Sequence, residues 1–488
     1  MRRAEVATVS VVMIDSEPER ALESVAAALG ARRDGGVEVV VVCQDGPPTT
    51  AWESRAGSAV KVVSISGPTS TRAMRRAGMA AAGGDVVVFA DAREGISVDA
   101  IRLLTLPEAA SALDGSGAFT LSVIVPAHQA SSVLHRCLQA LGASRHPRSD
   151  WELVVVDDAS TDDTELIAAE YADTVVRLAG NPHGPAYARN RGAEVSRGGV
   201  FVFVDADVLV HPDALTRFAR LFDAEPALGA AFGRYDAEPA AQGLVSQYRN
   251  LMHHYVHSAN PGPSETFWAG LGAVRRAAFW GVGGFDEWGF SRPQIEDIEL
   301  GRRLRALGCR IRLVPEIEGT HLKRWTLRQM FVTDFMSRGV PWMWLLLREG
   351  QSAGGQTLNL SLVGRLSTGL IGIALVALMV GIVTGSPWAL RSLGAAVLLT
   401  IALNLRFYAF LTRRRGLWFG LAAVPLHFGY YVSNVLAVVV GWLAYVFLGD
   451  PIPSAASHAL AQVGVKTWPP APRQKETTQK PGSDAFNE

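Results

Sequence analysis

The feature that most limits what this chain can fold into is an internal repeat. EVVVVCQDG, from Glu38 to Gly46, reappears as ELVVVDDAS, from Glu152 to Ser160. RRAGMAAAGGDVVVFADAR, from Arg75 to Arg93, reappears as RNRGAEVSRGGVFVFVDAD, from Arg189 to Asp207. Both pairs are offset by 114 positions (38 to 152, 75 to 189), and VSVVMI and LSVIVP open the two copies at nearly that offset. Three matches in the same order point to a duplicated half-domain. Uninterrupted runs such as VVV and VFVFV read as strands buried on both faces of a parallel sheet, and helical stretches separate them. The alternation predicts a doubly wound, mostly parallel α/β sheet, Rossmann-like in outline, with ligands beyond the carboxyl ends of its strands.

After Asp207 only the second copy continues, into WAGLGAVRRAAFWGVGGFDE and IEDIELGRRLRALG. The chain therefore divides into a degenerate nucleotide-binding-like half-domain over 1–105, a linker over 106–118 and a complete α/β domain over 119–325. A half-domain lacking its partner half is expected to dock through an uncovered apolar face, on the second copy or on a neighbouring chain. The stretch 326–357 mixes cations with Trp, Phe, Met and Leu, as a segment lying on a membrane surface does.

From Leu366 to Leu448 charges almost vanish. Apolar stretches at 366–384, 388–411 and 425–448 are each long enough to cross a bilayer, so about three transmembrane helices are expected within 358–448. Arg413, Arg414 and Arg415 form the clearest positive loop, which belongs on the cytoplasmic side. The expected product is a multi-pass protein of the cytoplasmic membrane whose α/β domain faces the cytoplasm. The tail over 449–488, rich in Pro, Ala and polar residues, carries no core pattern. Basic and acidic residues balance at 46 each, which removes the basic surplus of a nucleic-acid binder. Cys43, Cys137 and Cys309 lie far apart and read as reduced thiols.

Three acidic motifs could carry chemistry. In FVFVDADV, Asp205 and Asp207 would present their carboxylates on one side of a strand, a hard-oxygen pair suited to Mg²⁺ or Mn²⁺. A strand-end turn built with aspartates is the plainer account of that motif taken by itself. In VVVDDASTDDTE, Asp157 and Asp158 end another strand, where they could meet a base N–H and a ribose hydroxyl, while Ser160 and Asp163 fit a helix cap. In IEDIELGRRLRALG, Glu296 and Asp297 fall in a first helical turn, whose dipole favours their ionised forms, as a general base requires. First-turn acids also serve stability alone. His253, His254 and His257 have metal-ligand spacing, but no nearby carboxylate or thiolate completes a site.

In their order and context these motifs resemble glycosyltransferase family 2, on the nucleotide-diphospho-sugar transferase (GT-A-like) fold. The resemblance runs from about Phe119 to Trp325 and includes SVIVPAHQ, VVVDDAS, the ARNRG stretch with Arg189, DAD, the AGLGAVRRAAFWGVGGFDE segment, the IED motif and His321. It implies that Asp157, Asp158, Arg189 and Asp205 bind a nucleotide-sugar donor, and that Asp205, Asp207 and His321 hold a divalent cation. It further implies that Asp297, beside Glu296, deprotonates the acceptor hydroxyl and inverts the anomeric centre in one displacement. HLKRW resembles the QxxRW motif of processive polysaccharide synthases, placing Arg324 and Trp325 on the acceptor and diphosphate side, but His321 stands where the Gln would be. The implied activity is hexosyl transfer to a lipid-linked or glycan acceptor at the cell envelope, in contact with membrane lipids and compatible with a homo-oligomer. Processive polysaccharide synthesis is the alternative, and a catalytically dead nucleotide-sugar sensor the second. In the first copy Cys43 and Gln44 replace the paired acids and Arg93 replaces Asp207, so no second metal site is expected there.

Overall fold

The computed structural model describes residues 8–15, 37–44, 60–65, 70–91, 120–349 and 361–449. The expected linker, Arg93 and nearly all of the tail lie outside them, as do the side chains of Gln44 and Asp91. The first unit comprises β1 (Val9–Asp15), β2 (Val37–Gln44), β3 (Val60–Ile65), α1 (Thr71–Ala81) and β4 (Val86–Asp91). The second begins with β5 (Leu121–Ala127), α2 (Ser131–Gly142), β6 (Trp151–Asp158), α3 (Thr164–Ala169), β7 (Thr174–Leu178), α4 (Pro185–Val195) and β8 (Val200–Val204). It continues through β9 (Val208–Val210), α5 (Ala214–Ala224), β10 (Leu228–Tyr235), α6 (Leu244–Ala259), β11 (Gly262–Pro263), β12 (Leu271–Arg275), α7 (Arg276–Gly281), α8 (Glu296–Ala306) and β13 (Arg310–His321).

All of these strands join one mostly parallel sheet in the order β11-β13-β10-β12-β8-β5-β6-β7-β4-β1-β2-β3, with β9 beside β13. The order β4-β1-β2-β3 repeats β8-β5-β6-β7. Local chemistry repeats with it. Ser10 Oγ donates to Glu38 and accepts from Gly84 N at 2.8 Å, and Ser122 Oγ donates to Glu152 and accepts from Gly198 N at 2.7 Å. A Cβ on Gly78 would strike Val12 and Val42, and one on Gly192 would strike Ile124 and Val156. Each glycine lets its helix press on the strands beneath.

The two units meet edge to edge. β4 pairs antiparallel with β7, Val86 opposite Val176, so the junction closes two sheet edges instead of the apolar face expected from the sequence. Arg75, the counterpart of Arg189, donates to the carbonyls of Ala169 and Ala172. In the other direction Arg177 reaches Met79 O at 2.6 Å and Ala82 O at 2.7 Å.

Beyond β13, α9 (Leu327–Val332) starts with a Thr326–Gln329 capping box, then passes through a π-helical turn (Thr333–Gly339) into α10 (Val340–Glu349). α11 (Leu362–Thr384) and α14 (Leu417–Leu448) are each long and apolar enough to cross a membrane. Between them α12 (Pro387–Leu403) and α13 (Leu405–Arg415) meet at a 59° bend, so the expected second span is broken. At the bend Asn404 donates to Thr400 O and Ser367 Oγ and accepts from the Tyr431 hydroxyl, a side-chain network that competes with the helical ladder. Two spans, or three if the bent pair is one, are consistent with these lengths. The α/β domain is tied to this bundle by the buried Arg249–Asp334 pair at 2.5 Å and by Arg415, which reaches Glu238, Gln247 and Ala237 O.

Candidate active site

The site lies where β5, β6 and β8 end. Two non-glycine residues there have left-handed backbones, Gln129 (φ 48°) after β5 and Ala159 (φ 55°) after β6. Such conformations cost free energy and persist where surrounding contacts hold them. Here Gln129 N donates to Ser160 Oγ at 3.0 Å and its side chain to Thr161 at 2.9 Å.

Asp157 and Asp158 have different surroundings. Asp158 accepts from His183 N at 2.9 Å and Gly184 N at 2.8 Å, and His183 Nδ1 lies 3.1 Å away. Its carboxylate therefore fastens the loop that leads into α4. Asp157 meets Ser160, whose N donates at 3.3 Å and whose hydroxyl also bonds the carboxyl, and burial raises its pKa. Of the two, Asp157 is freer to meet a ligand.

Of the two readings of the DAD motif, carboxylates along a strand or a strand-end turn, the structure has the turn. β8 ends at Val204, and Val208 N donates to Asp205 O at 3.0 Å before β9 begins. The reversal occurs because β8 pairs with β5 and β12, whereas β9 must reach β13. Asp205 Oδ1 accepts from Arg189 Nη2 at 2.7 Å, and Arg189 Nη1 donates to Glu296 Oε1 at 2.9 Å. Burial alone would lower the Arg189 pKa, but Asp205, Glu296 and Asp297 outweigh it and raise it.

Asp207 turns toward His321, with Oδ2 and Nε2 separated by 3.6 Å, too far for a hydrogen bond. Burial would raise the Asp207 pKa, but His321 and then Lys323 hold it down. The His321 ring stacks on Tyr235 at 4.2 Å. Among the described residues no three His, Cys, Asp or Glu side chains converge as a closed metal cage. Asp205, Asp207 and His321 are thus not gathered on one point here, while the Asp207 carboxylate is of the hard-oxygen kind that Mg²⁺-type sites use, one or two at a time, with water and substrate phosphate oxygens.

Asp297 sits at the start of α8, where Ala269 N donates to Oδ2 at 3.2 Å and Ile298 N to Oδ1 at 2.8 Å. Its pKa is pushed up to about 7, first by burial and then by the Glu296 charge, with Arg189 opposing. The dipole expected to favour ionisation is thus outweighed. Glu296 is spoken for: besides Arg189 it accepts from Gln294 N at 2.9 Å. Sequence reasoning passed over Trp268, whose indole covers Gly270, the residue whose carbonyl accepts from Asp205 N. A Cβ on Gly270 would come within 2.5 Å of that ring, so the AGLG spacing carried the signal.

Other predicted residues stand apart. Trp325 is buried in an apolar cluster with Tyr248, Phe407 and Tyr408, and its backbone N–H donates to Ser246 Oγ at 2.8 Å. Arg324 is exposed beside it. His254 and His257 turn Nδ1 toward the carbonyls of Tyr235 and Gly233, and His253 packs at a tilt against Tyr235, Trp268 and His257. These rings are packing elements around the site.

Part of the chain that builds this site is similar to known proteins. The model of "Glycosyl transferase family 2" matches residues 122–283. Those residues are a family 2 glycosyltransferase domain. Validoxylamine A glucosyltransferase of Streptomyces hygroscopicus subsp. jinggangensis is 30% identical over 236 residues, 41% of this chain and 56% of that protein. The poly(ribitol-phosphate) beta-glucosyltransferase of Bacillus spizizenii is 29% identical over 103 residues, 20% of this chain and 16% of that protein. The chain spans about half the length of the validoxylamine relatives it matches. Among solved structures, a mannosyltransferase from Pyrobaculum calidifontis in complex with GDP-Man and Mn²⁺ superimposes with a TM-score of 0.43 at 20% identity, covering 71% of this chain and 98% of that one. The family 2 domain holds Asp157, Asp158, Arg189, Asp205 and Asp207, whereas Asp297 and His321 follow it in sequence.

Proposed function

We propose that this chain is a membrane-anchored, inverting glycosyltransferase that moves a sugar from a nucleotide-diphospho-sugar to the hydroxyl of a lipid-linked or glycan acceptor. The observation that carries this reading is Asp297, a carboxylate crowded by protein, bonded among the described residues only to backbone N–H groups, with its pKa raised to about 7. A base poised near the working pH accepts a proton with the greatest effect. In the reaction Asp297 takes the acceptor hydroxyl proton, the oxygen bonds to the anomeric carbon from the face opposite the leaving group, and the bond to the diphosphate breaks.

Arg189 holds Asp205 and Glu296 at a fixed spacing, so the strand-end turn and the helix bearing the base are aligned before substrate arrives. Asp207, His321 and Asp205 would hold Mg²⁺ or Mn²⁺, which when bound neutralises charge on the departing diphosphate. Asp157, freer than Asp158, meets the nucleoside. The positive Arg413–Arg415 stretch supports a cytoplasmic side for the domain, beside apolar helices that would bring a lipid-linked acceptor to the site.

Thermal unfolding of the purified full chain against a panel of UDP- and GDP-sugars, with and without Mn²⁺, tests donor use. A ligand selective for the folded state raises Tm by mass action. We expect one donor to raise Tm only with the cation present, and no response to any donor would overturn the reading.

A further inference from the structure

A second site lies away from the acids, where the α/β domain meets the helix before the last apolar span. A shallow cavity of about 370 Å³ opens between α6 and α13, lined by Arg234, His254, Tyr255, Ser258, Phe410 and Arg414. Its two cations differ. Arg234 is committed, donating to Glu318 at 3.0 Å and to Ser258. Arg414 is exposed, and among the described residues it meets no carboxylate; its guanidinium lies over the Phe410 ring at 5.8 Å. Its neighbour Arg415, by contrast, is paired with Glu238 at 2.9 Å.

Position supplies the second argument. Arg414 stands three residues before Leu417, where the 32-residue apolar helix α14 begins with Leu417 and Trp418 both exposed. If α14 crosses the bilayer, the cavity lies at headgroup depth, with Tyr255 and Phe410 forming an aromatic wall. An unpaired cation, a serine hydroxyl and aromatic rings at that depth match a phosphodiester joined to glycerol and acyl chains.

We propose that this cavity binds the headgroup of an anionic phospholipid, with Arg414 as the principal phosphate contact. The lipid would fix α13 against α6 and so set the height of the sugar-transfer site above the bilayer. The proposal rests on α14 being a membrane span and is independent of the sugar chemistry.

The test is thermal unfolding of the full chain in neutral detergent, titrated with short-chain phosphatidylglycerol, short-chain phosphatidylcholine or inorganic phosphate. Phosphatidylglycerol should raise Tm by several degrees and saturate, phosphatidylcholine should not, and Arg414→Gln should lose most of the rise. Arg413→Gln, which removes a neighbouring cation outside the cavity, should retain it. An equal rise with inorganic phosphate, equal losses in the two variants, or an undiminished rise in Arg414→Gln would each overturn the site. Because no nucleotide sugar is present, failure here leaves the transferase reading untouched.

Discussion

Glu296 Oε1 accepts from the Arg189 guanidinium at 2.9 Å, while Asp297, the next residue, has only backbone N–H donors among the described residues. One acid positions and the other stays available. Asp297→Asn should therefore keep donor affinity near wild type while transfer falls roughly 10²–10⁴-fold, the usual contribution of a general base. Donor titration beside single-turnover transfer separates the two. Loss of donor binding with an unchanged maximal rate would make Asp297 a binding residue.

A base works in its ionised form, so its raised pKa has a direct consequence for pH dependence. Transfer should climb with pH and level off above about 7, where Asp297 is deprotonated. Glu296 raises the Asp297 pKa and Arg189 lowers it, so Glu296→Gln should move the midpoint toward acid. A pH–rate profile of the variant that keeps its midpoint, or moves it toward base, would contradict this electrostatic account.

Asp207→Asn should weaken cation-dependent donor binding much more than cation-independent binding, because a neutral amide is a poor ligand for a hard ion. Mn²⁺ titration at fixed donor is the measurement. Wild-type activity that survives excess chelator would remove the cation from the mechanism.

The repeated half was readable because the repeat carries structural reasons with it: the Ser–Glu–Gly hydrogen bonds and the glycines under α1 and α4 recur at their own positions. The DAD turn was harder, since VFVFV runs into it and VLV runs out, and a reversal looks like a continuing strand until β13 claims β9. The two aspartates at 157 and 158 look alike in sequence; a loop 25 residues away decides that Asp158 is occupied. Asn404 is one polar residue in an apolar run, and its effect on the helix depends on Ser367 and Tyr431, each contributed by another helix.

Asp334→Ala should strand a buried cation, Arg249, at the junction between the α/β domain and the apolar helices. Breaking a buried ion pair from one side typically costs about 3–5 kcal/mol. Thermal unfolding should show a large drop in the variant, with partial recovery when Arg249→Met is added. A drop within experimental error would mean that the pair carries no structural burden.

Arg177→Ala removes bonds to Met79 O and Ala82 O, a side-chain clasp between the two units of the sheet, and a bond to Glu165 within its own unit. Limited proteolysis should then release the first unit sooner, while donor affinity of the remainder persists. Lost donor affinity in a folded variant would make the first unit part of the site.

The most direct test of the central claim is the release of nucleoside diphosphate by the full chain in membranes, supplied with Mn²⁺, an extract of lipid-linked and glycan acceptors, and each nucleotide sugar in turn. The account predicts release with one donor, abolished in Asp207→Asn and greatly slowed in Asp297→Asn. Release that proceeds at the wild-type rate in both variants would contradict it.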